Sequence, residues 1–136
     1  MTHGKSILLA EDEESDVEIF RLALKRAGLS SALIVVRDGQ EAVDYLKNDK
    51  DGSRMSPSLV LLDLKMPRMN GFEVLAWLKT QPQFNAVPVL VLSSSSHESD
   101  IQKAREMGAH DFFVKPRDLY DLVKILQNIH VRYLSR

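Results

Sequence analysis

Five short apolar runs recur along the chain: Ile7 to Ala10, Leu33 to Val36, Leu59 to Leu62, Val89 to Leu92 and Phe112 to Val114. Their apolar residues are continuous rather than alternating, the pattern of strands buried on both faces in a parallel sheet covered by helices. Between the runs the spacing becomes helical. Val17, Phe20, Ala23, Leu24 and Ala27 form an apolar stripe, with a capping box from Ser15 to Glu18 and a stop at Gly28. A second helix is predicted from Asp38, with Glu41 as its box partner and Ala42, Tyr45 and Leu46 facing inward. The polar stretch Asn48 to Pro57 reads as a loop. Phe72, Leu75 and Leu78 mark a third helix, and Ile101, Ala104 and Met107 before Gly108 a fourth. Leu119 to about Leu134 forms a long fifth.

Strand and helix thus alternate five times, and right-handed crossovers make this a doubly wound α/β sandwich with a parallel sheet. The pattern leaves strand order open. The flavodoxin-like order 2-1-3-4-5 is one common solution, and it places a ligand crevice beyond the carboxyl ends of strands 1 and 3. The 136 residues fit a single domain, expected to run from 1 to 136 with no output domain. Eighteen basic against nineteen acidic residues give a net charge of −1, which supplies no field for gripping nucleic acid or an anionic membrane. Cysteine is absent, excluding disulfides, thiol catalysis and thiolate metal sites, and no apolar run approaches the roughly 18 residues of a membrane span. A cytoplasmic location is expected.

The residues just after the strands carry the chemistry: Glu11 and Asp12, then Arg37, Asp63, Ser93 with Ser94, and Lys115. In the order 2-1-3-4-5 Arg37 falls on the edge, while Glu11, Asp12 and Asp63 meet at the switch point beside Ser93 and Lys115. Three clustered carboxylates repel, each pair by roughly 1 to 4 kcal/mol at about 4 Å, so the cluster calls for a cation or a raised pKa. Zinc prefers His or Cys and calcium needs more oxygens, whereas Mg²⁺ (or Mn²⁺) binds through few carboxylates, waters and a phosphate. A lysine, a serine hydroxyl and such a cation around one carboxylate suit a phosphoryl group on Asp63. Pro67 and Gly71 shape the loop that follows.

These residues resemble the receiver domain of bacterial response regulators, the phosphoacceptor half of two-component signalling. The resemblance covers nearly the whole chain. It is carried by Ile7-Leu-Leu-Ala-Glu-Asp12, Leu59-Val-Leu-Leu-Asp63 with Met66-Pro67 and Asn70-Gly71, Val89-Leu-Val-Leu-Ser93-Ser94, and Phe112-Phe-Val-Lys115-Pro116. It implies the 2-1-3-4-5 order and transfer of phosphate to Asp63 from a sensor histidine kinase or phosphotransfer protein. It further implies that Asp12, Asp63 and the carbonyl of Lys65 ligate Mg²⁺, with Glu11 acting through a water. Lys115 pairs with the phosphoryl group, Ser93 donates its hydroxyl, and Ser94 offers a backbone N–H. Phe112 is then the rotameric switch, and Pro116 follows a cis peptide bond from Lys115.

Ser93 stands where Thr is usual and Phe112 where Tyr is frequent, so no phenol reports rotation by hydrogen bonding. The spacing before strand 3, the Gln81-Pro-Gln-Phe-Asn85 stretch and the extended last helix resemble stand-alone regulators paired with bacterial phytochromes. Glu13, Glu14, Asp16 and Glu18 read as a solvated helix N-terminus. The histidines have no metal-ligand spacing, and Phe20, Trp77 and Phe84 read as packing residues. A flavodoxin is disfavoured because Glu11 to Glu14 would repel a flavin phosphate. A haloacid-dehalogenase-type phosphatase needs a second Asp where Lys65 stands, and a receiver-shaped module that is never phosphorylated remains as a third reading. Ile129 and Tyr133 extend the apolar stripe of the last helix, which raises the expectation of a homodimer through that helix, against the alternative that the stripe folds back on its own domain.

Overall fold

The computed structural model describes residues 5–48 and 56–135. Its five parallel strands are β1 (Ser6–Ala10), β2 (Ala32–Val36), β3 (Leu59–Leu62), β4 (Val89–Ser93) and β5 (Asp111–Val114), in the order β2-β1-β3-β4-β5. The helices are α1 (Glu14–Arg26), α2 (Gly39–Lys47), α3 (Gly71–Lys79), α4 (Glu98–Glu106) and α5 (Leu119–Ile129). This is the doubly wound sandwich expected from the alternation.

Continuous apolar strands follow from two separate cores. Leu8, Ala10, Val60, Leu62 and Val91 face one layer with Ala42, Leu46, Val74, Leu75 and Ala104, which are among the buried residues of α2, α3 and α4. Ile7, Leu9, Leu59, Leu61 and Leu90 face the other with Phe20, Leu24, Leu122 and Leu126 of α1 and α5. Successive strand residues point to opposite faces, so every position of β1 after Ser6 needs an apolar side chain.

The helix termini differ in how they form. Asp38 caps α2 as expected, accepting the Glu41 N–H at 2.8 Å, but Glu41 reaches back to the Arg37 N–H at 2.8 Å instead of to Asp38. The Ser15–Glu18 box does not form. Helix α1 begins at Glu14, with Glu13 as a cap residue lacking a side-chain bond, so Ser15 already lies inside the first turn. The Glu13 N–H is taken instead by Glu11 Oε2 at 3.1 Å.

The last helix is α-helical only to Ile129 and continues as a π-helical turn from His130 to Leu134. Ile129 and Leu134 are 1% and 2% exposed, packed in the α1–α5 layer, so Ile129 is covered without a second copy of the chain. Burying each such side chain contributes roughly 1.5–3 kcal/mol. Tyr133 is half-buried, with its hydroxyl 3.4 Å from Asp111 Oδ2, to which Arg132 also pairs at 2.8 Å. The segment from Thr80 to Pro88 contains a short 3-10 turn, Pro82–Phe84, that buries Phe84 against Trp77. Most of the predicted loop from Asn48 to Pro57 lies outside the described residues, as does His3.

Candidate functional site

The sheet continues one residue past its formal ends at the crevice. The Glu11 N–H donates to the Val36 carbonyl (2.9 Å), the Asp63 N–H to Ala10 (3.1 Å) and the Lys115 N–H to Ser93 (2.8 Å). These three residues are therefore held in register by the neighbouring strand rather than left on a free loop.

Carboxylate oxygens of Glu11, Asp12 and Asp63 lie within 4.8 Å of one another. Glu11 and Asp63 are buried, whereas Asp12 is exposed at the mouth. Lys115 Nζ enters from β5 and donates to Glu11 Oε1 (2.6 Å), Asp16 Oδ2 (2.8 Å) and Asp63 Oδ2 (3.1 Å). Burial pushes the Glu11 carboxyl above its ordinary pKa, an effect only partly offset by its bond to Lys115. Burial alone would lower the Lys115 ammonium, but its bonds to Asp16 and Glu11 and the charge of Asp63 outweigh this, so its pKa rises and the side chain stays cationic. An all-oxygen donor set opening to solvent at Asp12 fits a hard divalent cation and does not fit zinc. A cleft of about 570 Å³, lined by Asp12, Lys65, Pro67, Asn70, Phe72 and Asp100, gives access from outside.

The loop after Asp63 is set by two close approaches. A Cβ on Gly71 would lie 2.4 Å from the Asp63 carbonyl oxygen, and one on Gly39 would lie 2.1 Å from that of Met69. Only glycine lets α3 start against Asp63 and α2 start against the loop. The Gly39 N–H donates to Met69 O at 2.9 Å, and Gly71 N–H to Leu64 O at 3.0 Å. Asn70 and Glu73 form a reciprocal capping box on α3, both bonds at 2.9 Å. The exposed Lys65 has its N–H 3.4 Å from Asp63 Oδ1.

On β4, Ser93 is fully buried and its Oγ accepts the Ser95 N–H at 3.2 Å, while Ser94 is exposed. Ser95 Oγ in turn donates to Asp100 Oδ2 at 2.6 Å, fixing the start of α4. One expectation needs correction. The Lys115–Pro116 bond is trans, the isomer an X–Pro bond favours by about 0.5–1 kcal/mol, and Lys115 reaches the acids with that geometry. The Phe112 ring, expected to act as the switch, is buried at 9% exposure within the α2–α3–α4 layer.

Two residues of the site escaped the sequence reading. Asp16, read as part of a solvated helix end, is drawn to Lys115, while Glu14 beside it does stay outside, paired with Arg37. The available signal was position: Asp16 lies in the first turn of α1, four residues after Asp12. Arg68, in the loop after Asp63, is paired with buried Asp38 and sits at φ 64°, a left-handed conformation stabilised by its contacts.

Residues 7–127 match the response regulator receiver domain. Among known proteins the chain is 34% identical over 129 residues to the probable methanogenesis regulatory protein FilR2 of Methanothrix harundinacea, covering 95% of this chain and 83% of the relative. It is 36% identical over 132 residues to response regulator Rcp1 of Synechocystis, covering 96% and 90%. The crystal structure of the phosphorylated cyanobacterial phytochrome response regulator RcpA superimposes with a TM-score of 0.87 at 34% identity, over 98% and 96% of the two chains. That of the Mn²⁺-bound form of Rcp1 does so with a TM-score of 0.83, over 96% and 95%. With a receiver-domain match over residues 7–127 and relatives at 34–36% identity that span nearly the whole chain, this chain belongs to the response regulator receiver domain family and is similar to the phytochrome-associated members.

Proposed function

We propose that this chain is a phosphorylation-dependent interaction switch whose phosphoacceptor is Asp63. The observation that carries the reading is the convergence of Glu11, Asp12 and Lys115 on Asp63 at the carboxyl ends of β1, β3 and β5. An Asp63 carboxylate oxygen attacks phosphorus in line. The O–P bond forms as the N–P bond of a donor phosphohistidine breaks, and the departing imidazole takes up a proton from water. The donor is a sensor histidine kinase or a phosphotransfer protein. Asp12, Asp63 and the Lys65 carbonyl, with Glu11 through a water, hold Mg²⁺ or Mn²⁺, whose chemistry is to neutralise charge on the transferring group. Lys115 pairs with a phosphoryl oxygen, Ser93 turns its hydroxyl toward it, and the Ser94 N–H donates to it. The structures of phosphorylated RcpA and of Mn²⁺-bound Rcp1 support this reading by similarity.

Intact-mass measurement after incubation with Mg²⁺ and acetyl phosphate tests the assignment. One base-labile phosphoryl group is expected on wild type and none on Asp63→Asn. Equal labelling of the two would defeat it, and no labelling of either would favour a module that works unphosphorylated.

A homodimer through α5 and the turn that follows it would draw on Tyr120 and Val131, which are 67% and 68% exposed, whereas Ile129 is already covered. Light scattering on wild type and Tyr120→Asp/Val131→Asp decides it. A dimer dispersed by the substitutions supports the interface, and a monomeric wild type at micromolar concentration removes it.

A further inference from the structure

The three carboxylates that share Lys115 are not equivalent. Glu11 Oε2 holds the Glu13 N–H at 3.1 Å, and Asp63 Oδ1 faces the Lys65 N–H at 3.4 Å, so both are tied to backbone around the crevice. Both also belong to the acid triad. Asp16 stands outside that triad. It projects from the first turn of α1, its side chain is 39% exposed, and it still takes Nζ at 2.8 Å, closer than Asp63 at 3.1 Å. An ammonium has three N–H donors, and these three acceptors use them all. A phosphoryl oxygen on Asp63 engages Lys115 only by displacing one acceptor.

We propose that Asp16 is a positioning residue that competes with the phosphoacceptor for Lys115, holding the ammonium toward α1 in the unphosphorylated protein and releasing it when Asp63 carries a phosphoryl group. This rests on the reading of Asp63 as phosphoacceptor. Phosphorylation turns the Asp63 carboxylate into an acyl phosphate, whose phosphoryl oxygens take over its contact with Nζ; as Nζ follows them, Asp16 is the remaining acceptor that yields, because water replaces its lost contact, whereas the Glu11 side chain, 4% exposed, lacks that recourse. The phosphoryl group, with about −1.5 to −2 charge, is also a stronger partner for an ammonium than a half-solvated carboxylate.

Release alters a second surface. Asp16 and Lys115 close one end of an apolar groove of about 140 Å³ between α1 and the β5–α5 connection, with Ile19, Leu22 and Leu119 along its walls. In the paired state that end is charge-compensated. In the released state it presents a free carboxylate.

Beryllofluoride titrations at saturating Mg²⁺, followed by backbone amide NMR, test the competition in wild type, Asp16→Asn, Asp16→Glu and Glu18→Gln. The last removes a different exposed α1 acid as a charge control. Asp16→Asn is expected to bind the phosphoryl mimic roughly two- to fivefold more tightly, the range a partly exposed ion pair carries, while the other two variants stay near wild type. A separate Mg²⁺ titration distinguishes this from altered metal affinity. Unchanged or weaker binding by Asp16→Asn overturns the proposal, as does equal tightening by Glu18→Gln or Asp16→Glu. If wild type itself fails to bind beryllofluoride, the phosphoacceptor reading falls and takes this inference with it; if wild type binds and Asp16→Asn matches it, only the competition is lost.

Discussion

Arg68 grips Asp38 across the gap between the phosphoacceptor loop and α2, with Nε and Nη2 both 2.9 Å from the same carboxylate oxygen, Oδ2. The other oxygen caps α2 through the Glu41 N–H. One buried carboxylate thus anchors a loop and starts a helix. Burial acts to raise its pKa, but the Arg68 bond and the Glu41 N–H outweigh it, and the carboxyl lies below its ordinary value.

Asp38→Ala should therefore destabilise the domain by roughly 0.5–2 kcal/mol through the lost cap alone. Asp38→Asn keeps a capping oxygen and removes the charge, which isolates the Arg68 pair. A lowered carboxyl pKa contributes stability that is present above the unfolded value of 3.8 and is lost as pH falls through the folded value. Urea unfolding across the acid range should show that loss in wild type and a shallower one in Asp38→Asn.

Asp12 and Lys115 should separate metal from phosphate. Asp12→Ala is expected to weaken Mg²⁺ binding by at least about tenfold and with it labelling of Asp63. Lys115→Ala should bind Mg²⁺ as tightly or more tightly, because Nζ occupies oxygens of Glu11 and Asp63. Calorimetric titration reads both. Loss of metal in Lys115→Ala with retention in Asp12→Ala would reverse these roles.

Glu11 should give the metal-free protein a pH slope of opposite sign to that of Asp38. Its raised pKa means that the folded state binds the proton more tightly than the unfolded state, whose value is 4.5. Stability then falls as pH rises from 4.5 through the folded value, and the penalty is fully present above it. Glu11→Gln should lack this slope in metal-free unfolding measurements over that window.

Ser93 should carry the signal more than Phe112. Turning its hydroxyl toward a phosphoryl group breaks the bond that its Oγ accepts from the Ser95 N–H. Amide NMR with beryllofluoride is expected to shift Ser95 strongly while the already buried Phe112 ring changes less. The reverse ranking would restore an aromatic swing as the main event.

The strands and four strand-end positions were legible in the sequence because their signals are local: runs such as Leu59 to Leu62 and polar residues immediately after them. The Asp38 cap was legible for the same reason, its partner being three residues away. Asp16 and Arg68 were not, since their partners lie 99 and 30 residues away and meet only in the folded sheet. Ser15 misled because a capping sequence says where a helix is able to start, whereas the turn over the crevice put Glu13 at that place. The stripe on α5 was visible as a pattern, but that α1 and the sheet cover Ile129 is a tertiary fact.

The two-layer core also constrains the order in which the chain becomes a folded object during synthesis. The layer over α2, α3 and α4 draws its last buried residue from Phe112, whereas the opposite layer needs Leu122, Leu126, Ile129 and Leu134. A nascent chain emerging from the ribosome therefore holds Phe20 and Leu24 of α1 against an unfinished face until the C-terminal helix follows. Closure of this core waits on α5, and a premature stop before α5 would leave a chain carrying Asp63 and its acids beside an open apolar sheet, a substrate for chaperones and proteases.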